Sequence, residues 1–318
     1  MIQDIASQVK LAHQRISPHI IETRLLHSPS LSDFVQGDVY LKLESEQHTG
    51  SFKARGSLHK VLASLPTNQT FVTASTGNHG AGFGRAMEIT GQKGIVFLPT
   101  TASPIKLKKI KQYPVELRME GDNPLDTELY AKAYADKNDA IYVSPYNDLD
   151  IIAGQGTISV ELQHQLDHID DILVTIGGGG LIAGVGAYLK SLSSSIQVIG
   201  CEPENSMEMT LSLQAGQIVD QEDAADTLSD GSAGGIEPEA ITYPICEKVV
   251  DRSITVTESS IAAGIRLAHD EHGLTIEGAA AVTIAALKKE KERFKGRKVV
   301  LLICGGNIDP DLHQSIVS

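Results

Sequence analysis

The sequence of 318 residues has no tryptophan, only three cysteines and 4% aromatic residues. Nowhere does it hold an apolar run of the roughly 18 residues that a membrane-spanning helix needs. Cys201, Cys246 and Cys304 are odd in number and widely spaced, which excludes a disulfide framework and a Cys-x-x-Cys metal site and suits a reducing cytoplasm. The opening Met1-Ile2-Gln3-Asp4-Ile5-Ala6-Ser7-Gln8 lacks the basic start and apolar core of an export signal. Positive charge is scarce: 27 Lys and Arg stand against 40 Asp and Glu, a formal net charge of -13. A nucleic-acid binder needs basic stripes to displace counterions, and the one dense basic cluster, Lys106 to Lys111, reads as a solvated helix face. A soluble, cytoplasmic protein with neither a nucleic acid nor a membrane as partner is expected.

Hydrophobic residues make up 41% and charged residues 21%, so the chain should fold throughout. Its length exceeds one ordinary core and predicts two lobes enclosing a site. Helical spacing over 5–16 is followed by a Pro-broken loop and a strand over 39–44. From residue 71 strands and helices alternate: strands over 71–73, 94–98 and 115–117, with helices from Gly80 and Pro104. Further strands are expected over 171–175, 197–200, 253–256 and 298–302. That rhythm predicts βαβ units and parallel sheets, an α/β fold.

Chemistry-bearing residues gather where strands give way to helices. Lys53 sits in Thr49-Gly50-Ser51-Phe52-Lys53-Ala54-Arg55-Gly56, where a small polar turn can fix a lysine at the bottom of a cleft. Ser75-Thr76-Gly77-Asn78-His79 offers hydroxyls, an amide and backbone donors within five residues, a set suited to a substrate carboxylate. Gly177-Gly178-Gly179-Gly180-Leu181 lets backbone N–H groups converge on a phosphate, with no Cβ in the way and a helix dipole behind them. The same loop also satisfies G-x-G-x-x-[GA], with Glu202 placed like a ribose-binding acid. A nicotinamide-dependent oxidoreductase therefore stays open as an alternative, although it leaves Lys53 and Asn78 unexplained. A late Cys304-Gly305-Gly306-Asn307 completes the set.

Lysine, polar loop, glycine loop and Cys-Gly-Gly-Asn, in that order, resemble the serine/threonine dehydratase and serine racemase family, pyridoxal-phosphate enzymes of the second fold type. The resemblance runs from about Ile21 to Asp309. It implies a two-lobed, tryptophan synthase β-like fold: a large cofactor-binding domain from 1–67 and 147–318, and a small substrate-loop domain from 68–146. It implies that Lys53 forms an imine with pyridoxal 5'-phosphate and, displaced by an amino acid, becomes the base at the substrate Cα–H.

By the same likeness Phe52 and Gly231 of Asp230-Gly231 pack on the two sides of the cofactor ring, Asn78 bonds the ring hydroxyl, and Glu277 lies near the cofactor. Cys304 lies by the pyridine nitrogen, where a neutral thiol favours early loss of a β leaving group over transamination. Phe52 and Cys304 also read as plain core, and His79 as a satisfied structural histidine. Thr76 stands where serine racemases carry a serine that delivers a proton to the opposite face, so racemisation is expected as a secondary activity. Tyr146, in Ser144-Pro145-Tyr146-Asn147-Asp148, borders the pocket for the β substituent.

The run from Glu202 to Glu208 resembles the divalent-cation site of racemases, with Glu202, Glu208 and the Ser206 carbonyl as ligands for Mg2+ or Ca2+. The usual second acid is an aspartate and the usual residue after Glu277 a proline, so Glu208 and Gly278 depart from the pattern. No basic residue lies between Glu120 and Tyr130 to hold a distal carboxylate. The expected activity is loss of water from L-threonine or L-serine, giving a 2-oxo acid and ammonia, with a serine or aspartate racemase as the alternative. A homodimer is expected. The absence of a regulatory segment after Asn307 favours a catabolic or racemase role.

Overall fold

The computed structural model describes residues 1–102 and 104–318. The side chains of 104–106 lie outside the described residues, and with them that of Lys106 in the basic cluster. The helix Pro104–Lys111 does form, and Lys108, Lys109 and Lys111 are exposed on it.

Among the described residues the strands are β1 (Leu25–His27), β2 (Asp38–Leu43), β3 (Phe71–Ala74), β4 (Gly94–Leu98), β5 (Glu116–Met119), β6 (Ile141–Tyr142), β7 (Asp171–Thr175), β8 (Gln197–Pro203), β9 (Arg252–Val256) and β10 (Lys298–Ile303). They form a six-stranded sheet ordered β1-β2-β10-β7-β8-β9 and a four-stranded sheet ordered β5-β4-β3-β6. Every pairing is parallel except β1 with β2. Parallel strands covered by helices on both faces read as unbroken apolar runs. β7 is buried at every position, and β10 at every position after Lys298.

The sequence reading missed β1, which adds antiparallel at the edge with Leu25 opposite Lys42, because three residues are too few to show a period. It also missed the helix Pro29–Val35, although a start signal was present. Ser28 Oγ accepts from the Leu31 N–H and Pro29 occupies the first turn.

The four-stranded sheet is drawn from one continuous stretch, but its packing is not. Phe71, Phe83, Met87, Val96 and Leu98 share their core with Ile16, Leu58, Val61 and Ile151 from flanking segments. The helix Lys53–Ala63 packs against both Asn78–Thr90 and Leu149–Gln165, and so links the two sheets. The loops that follow β2, β3, β7 and β10 all open on one cleft of about 1490 Å³, the crevice at the carboxyl ends of parallel strands where α/β proteins bind ligands.

Candidate active site

Lys53 is the first residue of its helix, and its Nζ donates to the Pro145 carbonyl at 2.8 Å. The ammonium is 5.2 Å from the centre of the Phe52 ring. Burial lowers the Lys53 pKa to about 8, against the pull of Cys304 and Glu277 in the other direction. The neutral amine is therefore far more abundant near physiological pH than in an ordinary lysine, as a base or nucleophile requires.

The turn before Lys53 is clamped to the loop after β10. The Phe52 N–H donates to the Cys304 carbonyl at 3.1 Å, the Gly306 N–H to the Gly50 carbonyl at 2.9 Å, and Asn307 Nδ2 to the Thr49 carbonyl at 2.8 Å. Asn307 Nδ2 also donates to Asn78 Oδ1 at 2.7 Å, while Asn78 Nδ2 donates to both oxygens of Glu277 at 2.9 and 3.0 Å. The loops carrying Lys53, Asn78, Glu277 and Asn307 are thus hydrogen-bonded into one floor. Burial raises the Glu277 carboxyl to about 7, and the Asn78 amide opposes the rise. Burial, then Glu277, hold the Cys304 thiol well above its ordinary value, so it stays neutral; its Sγ is 4.0 Å from Glu277 Oε1.

Two more helices begin on the cleft. Asn78–Thr90 starts from Ser75-Thr76-Gly77, and Gly180–Leu192 starts from Gly179, whose φ of 86° is left-handed. First-turn N–H groups have no acceptor within their own helix and favour anions, so an acidic chain gains two anion seats beside a lysine. The ring of Tyr146 lies on the glycine loop, where a Cβ on Gly178 would fall 2.4 Å from it. The Tyr146 hydroxyl accepts from the Glu237 N–H at 3.0 Å.

His79 is brought to the cleft by its backbone, but its ring is buried within the small sheet's surroundings. Nε2 lies 3.0 Å from the Val143 carbonyl and Nδ1 3.4 Å from Ser57 Oγ. A carbonyl only accepts, which assigns the proton to Nε2. Burial, then the Lys53 charge, lower its pKa to about 3, so the imidazole is a neutral strut.

Glu202 does not face a ribose. It is buried, and its carboxylate accepts from the Met209 and Thr210 N–H groups at 3.1 and 2.8 Å and from the Thr210 hydroxyl. That removes the support for the dinucleotide alternative. A basic residue does stand just past the Glu120–Tyr130 stretch: Lys132, two residues after Tyr130, lines the cleft, with its ammonium held by Glu128 at 2.9 Å and Glu237 at 3.0 Å. Gly278, where the motif has proline, is explained by the Leu228 carbonyl, which would lie 1.9 Å from a Cβ there.

The residues present fit pyridoxal phosphate. At Gly231 a Cβ would meet only Ala279 and Glu277, both at an ordinary 3.6 Å, so nothing inside the protein requires glycine. Its lack of a side chain leaves that stretch of the cleft wall open for a flat ring. With Lys53 and the glycine loop in the same cleft, the fold and site define a pyridoxal-phosphate enzyme. The chain belongs to the family described as pyridoxal-phosphate dependent enzyme, which it matches over residues 16–305.

Among its relatives it is 35% identical over 314 residues to the L-threonine ammonia-lyase of Thermotoga maritima, covering 98% of this chain and 77% of that one. It is 35% identical over 302 residues to the catabolic L-threonine dehydratase of Escherichia coli K12, covering 94% and 91%. The crystal structure of serine racemase from Dictyostelium discoideum superposes with a TM-score of 0.88 at 31% identity, covering 96% and 98%.

Proposed function

We propose that this protein is a hydroxyamino-acid ammonia-lyase converting L-threonine, L-serine or both to the 2-oxo acid and ammonia. The observation that carries the reading is the Lys53 amine, held with a pKa of about 8 in a cleft that it shares with two helix N-termini. When bound, pyridoxal phosphate supplies an aldehyde that condenses with amines and a ring that accepts the electron pair left at Cα. Lys53 takes the Cα proton. Backbone N–H groups and hydroxyls of Ser75, Thr76, Gly77, Asn78 and His79 hold and orient the substrate carboxylate. Those of Gly177, Gly178, Gly179, Gly180 and Leu181 would hold the cofactor's phosphate, Phe52 and Gly231 would border its ring, and Cys304 would offer the ring nitrogen a neutral partner. Tyr146 borders the β substituent. Lys132, already paired with two carboxylates, favours a neutral hydroxyl over an acidic group there. Overall, threonine gives 2-oxobutyrate and ammonium with no net water consumed.

We read residues 68–146 as the substrate-loop domain, set against the cofactor domain of 1–67 and 147–318. The likeness alone supports a homodimer, and the three buried free thiols support a reducing compartment. Glu202, Glu208 and the Ser206 carbonyl are proposed to hold Mg2+ or Ca2+. Burial raises the Glu202 carboxyl to about 7, and Glu208 adds to the rise with no cationic side chain among its causes. Among the described residues no three His, Cys, Asp or Glu side chains converge on an ion, so main-chain carbonyl and water would complete the shell.

Racemisation is the second reading, favoured by Thr76 on the cleft wall and the serine racemase likeness. A proton NMR time course in D2O with L-threonine and L-serine separates the two. Pyruvate or 2-oxobutyrate is expected; loss of the Cα proton signal without oxo acid would replace the lyase by a racemase. Unchanged Cα exchange and stereochemical scrambling in Thr76→Ala would remove Thr76 from that role.

A further inference from the structure

Two residues beyond Lys53, on the same helix, Arg55 is fully buried. Its Nε and Nη2 donate to the two oxygens of Glu44 at 2.7 and 2.8 Å. Its Nη1 donates to Glu161 at 2.6 Å and Thr157 at 3.2 Å, and Nη2 also reaches the Ile21 carbonyl at 3.4 Å. All five guanidinium donors are taken. Lys42 Nζ donates to Glu161 at 2.5 Å, to the Thr23 carbonyl at 2.8 Å and to Gln165 at 3.0 Å, so its three donors are taken as well. Thr23 closes the remaining side, its hydroxyl on Glu44 at 2.6 Å and its N–H on Glu161 at 3.2 Å. Two cations and two anions, none more than 1% exposed, form a neutral, fully satisfied cluster. It joins β2, the Ile21–Thr23 segment and the helices Lys53–Ala63 and Leu149–Gln165.

Removing four charges from water is expensive, and apolar residues of similar volume would hold the fold about as well. What apolar packing does not supply is direction. Positions two apart on a helix point roughly 200° apart, so when Arg55 faces the cluster Lys53 is turned to the cleft, and any twist or slip of the helix breaks several of the five bonds at once. We propose that the Arg55–Glu44–Glu161–Lys42 cluster is the positioning device that sets the rotation and depth of the helix bearing Lys53, and so the place of the reacting amine. This rests on reading Lys53 as the base at Cα.

Arg55→Lys keeps the charge and removes the planar fork. In the folded, cofactor-loaded variant kcat should fall on the order of 10²-fold, the effect of a displacement of about 1 Å, with KM little changed because the carboxylate loop is untouched. In the cofactor-free variant, site-resolved acylation read by peptide mass should show the Lys53 midpoint rising from about 8 as the amine leaves its desolvated seat. Parent kcat in folded Arg55→Lys overturns the proposal, and so does a lower kcat with an unmoved Lys53 midpoint. If Arg55→Lys does not fold, the charge-neutral pair Lys42→Met with Glu161→Gln takes its place under the same two outcomes. Should the parent make no oxo acid, the proposed reaction fails, while the acylation comparison still decides whether the cluster positions Lys53.

Discussion

The depressed basicity of Lys53 predicts how the cofactor-free protein captures its cofactor. With a pKa of about 8, about 9% of the amine is neutral at pH 7, against about 0.03% for an ordinary lysine near 10.4 to 10.5, a roughly 300-fold gain in reactive form. Mixing the cofactor-free protein with pyridoxal phosphate in a stopped-flow spectrophotometer gives the capture rate from the shift of the cofactor's absorption. N-acetyl-lysine run in parallel removes the aldehyde's own ionisation. The rate due to Lys53 should rise about ninefold from pH 6 to 7 but only about twofold from pH 8 to 9, where the amine passes from about half to about nine-tenths neutral. Lys53→Ala should abolish the saturating phase. A rate that still climbs tenfold per unit between pH 8 and 9 would refute the argument that burial sets this amine, and the base would then have to be activated by the substrate complex itself.

Gly178→Ala forces the Tyr146 ring off the glycine loop and disturbs one phosphate-facing N–H, so cofactor Kd should weaken by about 1.5–3 kcal/mol, or roughly 10- to 150-fold, in an absorbance titration; an unchanged Kd would place the phosphate elsewhere. Asn78→Ala removes the two Asn78 amide bonds to Glu277 and should lower urea stability of the cofactor-free protein by about 1.5–3 kcal/mol at pH 8. The loss should be smaller at pH 5.5: the folded pKa near 7 leaves Glu277 protonated there, and the donors favour the ionised form. For Glu202, whose folded pKa is raised from 4.5 to about 7, the folded state binds the extra proton. Its contribution to stability therefore falls as pH climbs through that window. Mg2+ or Ca2+ competes with that proton, so the rise in Tm on adding either ion should be larger at pH 8 than at pH 5.5; equal shifts would count against a carboxylate site.

Much of this site was legible because backbone chemistry marks itself. Lysine after a small polar turn, four glycines after an apolar strand, and Asn78 and Asn307 at strand ends all announce loops at strand-to-helix junctions, and all of them line one cleft. The Arg55 cluster was not legible. Lys42 and Glu44 read as ordinary members of a strand and its end, and Glu161 lies 119 residues from Lys42, a pairing that no local period encodes. One signal was available: Glu161 falls on the buried face of Leu149–Gln165, where a lone carboxylate requires a partner. Lys132 stands two residues past the Glu120–Tyr130 stretch, in the third turn of its helix, and His79 required the Val143 carbonyl, which only the fold of the small sheet supplies.

The placement of β10 between β2 and β7 has a consequence for how the chain is made. Val39 lies opposite Val299 and Leu43 opposite Ile303, so β2 waits for a neighbour encoded about 250 residues downstream. At about 5–20 residues per second of synthesis, that is an interval of roughly 10–50 s in which one edge of the β1–β2 pair stands open. The middle of the large sheet is therefore the last part of it to leave the ribosome. A chain truncated just before β10 would hold Lys53, the polar loop and the glycine loop, and still lack the strand that joins β2, and with it the turn before Lys53, to the rest of the sheet.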